Sequence, residues 1–278
     1  MSPATDPSTG SGQAESTGPS TSSGRAAGPV DSAGQPWAGR SFHQNPAAGD
    51  DGTADAALWR ALTDFRAGEG TSEQVVEALR TARMLVPLVA EKGEEGMAPS
   101  GLVVDKTQEL SIVTVSAPDG RTVMPLFTCT STMRRWDAKA RPIPVASTRA
   151  ALAAVGDETD LIVIDPTSPT EFVVRRPAVW ALARGEEWQS AAANPDVFLG
   201  LQDSIATELA VLDVQVADGD PQALLRGPEL IVRLTLAAGL ERAELDAILA
   251  RLARRWAADD RIATLVDSLQ VSLGGRAP

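Results

Sequence analysis

Residues 122–145 read TVMPLFTCTSTMRRWDAKARPIPV, and residues 160–185 read DLIVIDPTSPTEFVVRRPAVWALARG. Thr122–Phe127 is an apolar strand. The turn signal Pro118-Asp119-Gly120 makes it the return arm of a hairpin whose first arm covers Leu110–Val115. A short helix follows over Ser131–Trp136, with Met133 and Trp136 three apart on one face. Pro142 and Pro144 exclude helix, so Pro142–Val145 is extended. The continuous apolar run Leu161–Ile164 predicts a strand buried on both faces. Asp165-Pro166 closes it, Glu171–Val174 is a further strand, and Pro177 opens a helix at its preferred first-turn position. Trp180 and Leu182 are expected to face the core.

Between these stretches, Thr148–Val155 predicts a helix with Leu152 and Val155 pointing inward. Upstream, Leu58, Leu62 and Phe65 recur at helical spacing, with Gly68 and Gly70 after them. Thr71 and Gln74 have capping-box spacing, so a second helix starts there, with Val75, Val76 and Leu79 on its apolar face. Met84–Val89 is an apolar strand in which Pro87 removes a ladder donor, which predicts an edge position or a bulge. Glu91–Ser100 is expected to be a loop and Leu102–Val104 a short strand.

Downstream of 185–195 the pattern changes. Pro195–Thr207 suits a helix. Residues 210–216, 230–236 and 269–273 alternate with period two, and Leu245, Ile248, Leu249, Leu252 and Trp256 form an amphipathic helical stripe. The fold class is therefore α+β: two α/β-type domains with mixed sheets and helices packed on them. Residues 1–54 are rich in Ser, Gly and Pro and predict a disordered tail, broken by one island at Trp37–Phe42. The first domain spans 55–186 and the smaller α+β domain 195–275.

The 278-residue chain carries a net charge of −12. That sign argues against nucleic acid and against an anionic membrane surface, both of which select clustered Lys and Arg. The single cysteine, Cys129, precludes an intrachain disulfide, and the single histidine, His43, lies in the tail. Neither a His/Cys metal cluster nor a Ser-His-Asp triad can be assembled from this inventory. With no leader-like segment and no run of about 20 apolar residues, a cytoplasmic protein is expected.

Cys129 follows a buried-looking strand, and without a base it reads as a small core residue. Asp165, at the C-terminal end of a buried strand, is either a ligand-binding carboxylate or the start of an Asx turn. Asp137 reads as a helix terminator. Trp59, Trp180 and Trp256 sit on apolar stripes and are expected in the core, whereas Trp136 and Trp188 lie at element ends and suit a surface. Arg251, Arg254, Arg255 and Arg261 interleave with acids and read as a solvated face. No catalytic, cofactor-binding or metal-binding residue is assigned, and no cofactor is expected. The candidate interaction surface is Trp136, Asp137, Arg141 and Asp165.

The features VMPLFT, MRRW, RPIPV and LIVIDPTSPTEFVVRRPAVWALARG, together with the helical start ALWRALTDFRAGEGTSEQVVEALRTARMLVPLV, resemble the SseB family in its N-terminal domain. The helical start is similar to the actinobacterial version. The resemblance covers about Ala56–Gly185, with Asp165 where Asn is usual, and extends more weakly to a companion C-terminal domain. It implies a cytoplasmic protein without established catalytic residues, named for a serine-sensitivity phenotype.

Two readings follow. In one, the protein is a non-catalytic interaction or regulatory module with a protein partner. In the other it is an amino-acid sensor or enzyme linked to serine metabolism, with Asp165 holding an amine and Arg134 or Arg141 a carboxylate. Four or more buried charged groups converging on one cavity would favour the second.

Overall fold

A computed structural model describes residues 49–89, 96–97, 103–104, 113–117 and 119–275, the two short segments at 96–97 and 103–104 by backbone alone. Residues 1–48 of the expected disordered tail, with its Trp37–Phe42 island, lie outside the described residues, as do residues 110–112 of the expected hairpin arm and Pro118 of its turn; residues 49–54, expected in the tail, are ordered, with Asp50 and Gly52 bonded to Arg83 and Thr130. Residues Pro46–Pro278 form one compact unit.

Helix α1 (Ala56–Ala67) begins where the Asp55 carboxylate accepts from the Ala57 and Leu58 amides, and ends at Gly68 in the left-handed conformation. Helix α2 (Ser72–Thr81) carries the expected reciprocal capping box between Thr71 and Gln74. Strand β1 (Arg83–Leu88) pairs antiparallel with β6 (Arg141–Ala146). The segment expected to be a loop contains a two-residue strand, β2 (Gly96–Met97), paired with β3 (Val103–Val104). A four-stranded sheet has the order β4 (Val115–Ser116), β5 (Thr122–Leu126), β7 (Leu161–Ile164), β8 (Phe172–Val174). β4 and β5 form the expected hairpin, β5 and β7 run parallel, and β7 and β8 run antiparallel. Strand β7 is buried along its whole length, as its unbroken apolar run requires.

Proline explains why β1–β6 is a separate sheet. Leu85 and Phe127 exchange both backbone hydrogen bonds, the only bridge from β1 to the end of β5 among the described residues. Two residues further on, antiparallel register would set Pro87 opposite Pro125, and neither has an N–H to donate. The ladder stops there. Because Leu85 points its amide and carbonyl at Phe127, the pair Leu85↔Pro144 is not hydrogen-bonded, and the same holds for Pro87↔Pro142. Both β6 prolines therefore face the free edge of the strand.

Helix α4 (Ser147–Gly156) corrects an expectation. Leu152 is 61 % exposed and Val155 is also exposed, while Ala150, Ala151 and Ala154 are buried. The alanine face lies against α5 (Arg176–Arg184), whose Ala178 and Ala181 are likewise buried. Two helices in such close approach need small residues between them. On α5, Val179 and Leu182 fill the core; Trp180 is only partly buried, with the Arg176 guanidinium 5.2 Å from its ring centroid. Trp59, expected in the core, is 41 % exposed. It sits one position past Leu58, about 100° round the helix from the buried stripe.

Beyond α6 (Pro195–Ile205), β9 (Val211–Asp218), β10 (Leu230–Leu236) and β11 (Leu269–Gly275) form a sheet with β10 central. It packs with α7 (Arg242–Ala258) and a further short helix, α8 (Asp260–Leu265), around Val214, Val232, Leu234, Leu252 and Trp256. A register shift at Thr235/Leu236 leaves Leu212 without a partner. This bulge turns Val211 inward and Leu212 outward, which the alternation alone does not foretell. Of the arginines of α7 and α8, Arg251 and Arg255 pair with Glu208 and Arg261 with Asp203 and Asp259, while Arg254 donates to the Ala250 carbonyl.

Candidate functional site

The parallel strands β5 and β7 end side by side, at Leu126 and Ile164. The chain leaves β5 through Phe127 and Thr128 into helix α3 (Thr130–Trp136), and leaves β7 through Asp165 into the turn 165–171. Asp165 joins the two exits. Its Oδ1 accepts from the Thr128 amide at 2.8 Å and the Thr132 hydroxyl at 2.7 Å. Its Oδ2 accepts from the Thr128 hydroxyl at 2.6 Å and the Thr170 hydroxyl at 2.9 Å. The residue is 0 % exposed. A buried carboxylate demands such a shell of donors, and with both oxygens engaged it has no free face for a ligand amine. Asp165 is therefore an internal anchor between the two strand exits, with no exposed atom to offer a partner.

The turn that Asp165 starts is strained. Asp165 and Thr167 have φ of 47° and 64°, the second unusual for a β-branched residue. Glu171 accepts from the Thr167 amide and holds this geometry. Cys129 stands at the start of α3, 3.0 Å from the Ser131 hydroxyl. Burial raises its thiol pKa, but hydrogen bonds from Ser131 and Thr132 outweigh that and bring it below the ordinary value. Cys129 is thus half-buried and hydrogen-bonded rather than an inert core residue. Gly52 approaches this turn closely: its φ is +75°, and a Cβ there would lie 2.5 Å from Thr130 Cγ2. The Gly52 carbonyl accepts from the Thr130 amide, and Arg83 pairs with Asp50, so residues 50–53 belong to the body.

The remaining expected site residues lie around β6. Trp136 packs on Phe127 with ring centroids 5.3 Å apart. Asp137 ends α3, as expected of a terminator, and accepts from the Lys139 amide. Arg141 opens β6 and is exposed. Arg134, Arg135, Lys139, Arg141 and Arg149 are all exposed, and Asp137 is the only acid between 134 and 149. Among the described residues none of the five forms an ion pair. Met84, Val86 and Val145 pack into the same cluster as the alanines of α4, so α4 covers that face of the β1–β6 pair. By strand alternation Arg141 and Ile143 share this face, and Ile143 is 40 % exposed.

A third cluster joins the two halves of the body. Arg175, almost buried, donates to Asp220, Asp267, Ser268 and the Gly227 carbonyl. Arg121 reinforces Asp267, whose carboxyl burial would raise but the two arginines hold low. Glu229 is 8 % exposed, accepts from the Asp267 amide, and has no cation of its own. Burial first, then the charge of Asp267, lift its pKa to about 7. A narrow cavity is bordered by Arg175, Asp220 and Glu229, with Trp188 on its wall. Three buried charged groups border it, fewer than the four taken above to favour a ligand, and those of Arg175 and Asp220 are spent on each other. Trp188 packs against the main core here, more buried than its place at an element end suggests.

Among the described residues no three His, Cys, Asp or Glu side chains are grouped to hold a metal ion, and no helix is long and apolar enough to cross a membrane. No curated protein and no solved structure matches the chain at a significant level. Residues 58–181 match the family model described as SseB protein N-terminal domain, a span that runs from α1 into α5 and holds the four-stranded sheet and the Asp165 anchor. The segment 58–181 of this chain is an SseB protein N-terminal domain.

Proposed function

We propose that this protein is a non-catalytic interaction module of the cytoplasm, and that its partner is a protein segment combining acidic and apolar side chains. One observation carries the reading. In a chain of net charge −12, the exposed cations Arg134, Lys139, Arg141 and Arg149 gather around the free edge of β6, unneutralised by any described residue. Exposed Ile143, Leu152 and Val155 lie among them. Scattered apolar residues are ordinary on a surface; apolar residues set within charge opposite to the rest of the molecule suit recognition of a complementary patch.

The edge itself limits how a partner docks. Pro142 and Pro144 face outward and offer no N–H, so an added strand would find acceptors but few donors. Recognition then runs through side chains, with the cations steering and Leu152 and Ile143 burying apolar area.

The test is affinity capture with the full chain, wild type against an Arg141→Glu/Arg149→Glu variant. Both residues are exposed, so the variant keeps its melting temperature. A partner held by the wild type in low salt, with affinity at least tenfold weaker for the variant, supports the proposal. Identical capture by both proteins refutes it.

A further inference from the structure

The exits of β5 and β7 open onto a groove on either side of Trp59. One part, about 690 Å3, is walled by Trp59, Thr63, Arg66, Arg135, Ser131 and Thr170. The other, about 950 Å3, shares Trp59 and Ser131 and extends to Cys129 and Gly52. We propose that this groove is a binding site for a small organic anion, a carboxylate or a phosphate monoester. Its charged head lies between Arg66 and Arg135, and its apolar part rests on the indole of Trp59.

Five observations converge. The groove lies at the carboxyl ends of adjacent parallel strands, where diverging loops leave a crevice in open α/β sheets. The first part of the groove has two guanidinium groups and no carboxylate on its wall. Asp165 lies beneath, but its oxygens are covered by the threonine hydroxyls and the Thr128 amide. That part of the groove thus has cations on its wall, while Asp51 borders the other part and Glu171 and Asp220 act on Arg66 from its far side.

Arg66 is incompletely satisfied. Nη1 donates to the Gln222 carbonyl at 2.7 Å, while Nη2 is buried without an acceptor. An orphaned buried donor is unfavourable, and turning the guanidinium plane toward the groove would give it the acceptor the fold withholds. Arg135 has no described partner. The two arginines come from α1 and α3, so an anion between them would bridge elements far apart in sequence.

Trp59 is set outward at the junction of both parts of the groove, where a flat apolar surface is of no use to the core. Finally, the strained turn presents Ser168 and Thr170 beside the groove. Left-handed non-glycine residues persist only where surrounding structure over-determines them. Here the Asp165 anchor does so: the Thr170 hydroxyl donates to Asp165 and the Ser168 hydroxyl to Thr170, which fixes this wall of the groove before any ligand arrives.

The experiment titrates benzoate, phenyl phosphate and benzylammonium into the full chain and follows tryptophan fluorescence, with Trp59→Phe identifying the reporting ring. Saturable quenching by at least one anion and none by the ammonium is expected. Preference for benzoate assigns the site to carboxylates, and preference for phenyl phosphate assigns it to phosphate monoesters. Arg135→Gln should weaken binding at least tenfold, while Arg242→Gln, on the exposed face of α7, leaves it unchanged. No saturable change with either anion up to about 10 mM, or equal binding by Arg135→Gln, overturns the proposal. Neither outcome bears on the β6 surface, whose test uses other residues.

Discussion

Glu229→Gln should make the protein more stable at neutral pH, although it removes a charge that a structural survey would count as conserving solubility. Glu229 is buried between the two halves of the body, and its pKa rises from 4.5 to about 7 because burial disfavours the charged form. The difference corresponds to about 3 kcal/mol between the protonation states. The sign follows from linkage. The folded state holds the proton more tightly than the unfolded chain, so the stabilising contribution is full below the unfolded value near 4.5. It is lost as pH rises through about 7. Glutamine stays neutral at every pH and keeps the oxygen that accepts from the Asp267 amide. At pH 5 the two proteins should differ little. At pH 8 the variant should be more stable by up to about 3 kcal/mol, an upper figure because local rearrangement or water entry relieves part of the burial cost. Urea unfolding from pH 4.5 to 8.5 measures this directly. The wild-type stability should fall across that range, and the variant profile should be flatter by the stated amount. Parallel profiles would show that Glu229 is ionised and solvated in the folded protein, and the burial argument would fail.

Two other changes probe the Asp165 end of the sheet. Asp165→Asn keeps the left-handed backbone, which asparagine tolerates, but replaces one oxygen that accepts two hydroxyl hydrogens with an amide that donates; unfolding should become easier by about 2–4 kcal/mol, and an unchanged midpoint in urea would contradict the donor shell described here. The Cys129 thiol, brought below its ordinary pKa despite burial, should react with iodoacetamide near pH 8 as a larger thiolate fraction than an ordinary cysteine, and Ser131→Ala should lower that fraction; a pH–rate profile that does not move between wild type and variant would show that the Ser131 hydroxyl does not stabilise the thiolate.

What could be read from the chain was what neighbours in sequence determine. The capping box at Thr71 and Gln74 is complete within four residues, and β7 is marked by its own four apolar side chains. The Asp165 shell has no such local mark. Thr128, Thr132 and Thr170 are ordinary turn and helix residues until parallel pairing of β5 with β7 brings the two exits together. The Asx-turn reading fails here: the Thr167 amide donates to Glu171, and the Asp165 oxygens accept from Thr128, Thr132 and Thr170 instead. Helix α4 misleads for a different reason. Its larger residues, Leu152 and Val155, suggest the inner face, yet the neighbour is a helix that only alanines can approach closely. Periodicity identifies a helix but does not say whether the partner wants bulk or nearness. Glu229 and Arg175 are plain surface residues by composition, and their burial exists only because the end of β8 meets Asp220, Gly227 and residues 267–268 of the other half. The groove was partly foreseeable: a pocket at the end of Leu161–Ile164 was expected, but its arginines are Arg66 and Arg135 rather than Arg134 and Arg141.

Proline connects the fold to the kind of recognition available. Pro87 and Pro125 end the ladder between β1 and β5 after one bridge, which detaches β1–β6 as a two-stranded ribbon. A ribbon so exposed would ordinarily invite a third strand, and with it aggregation. Pro142 and Pro144 withdraw the donors from that edge, so the ribbon can present side chains without being a template for strand addition. The cations of β6, α3 and α4 act in the same direction, since a strand of another copy would meet their like charges. The surface is thereby closed to backbone pairing, and its cations suit the acidic partner proposed above. The other end of the sheet works by the opposite device: there the backbone is held in a strained form by one carboxylate that the threonine hydroxyls saturate, and the guanidinium groups of Arg66 and Arg135 wall the adjoining groove.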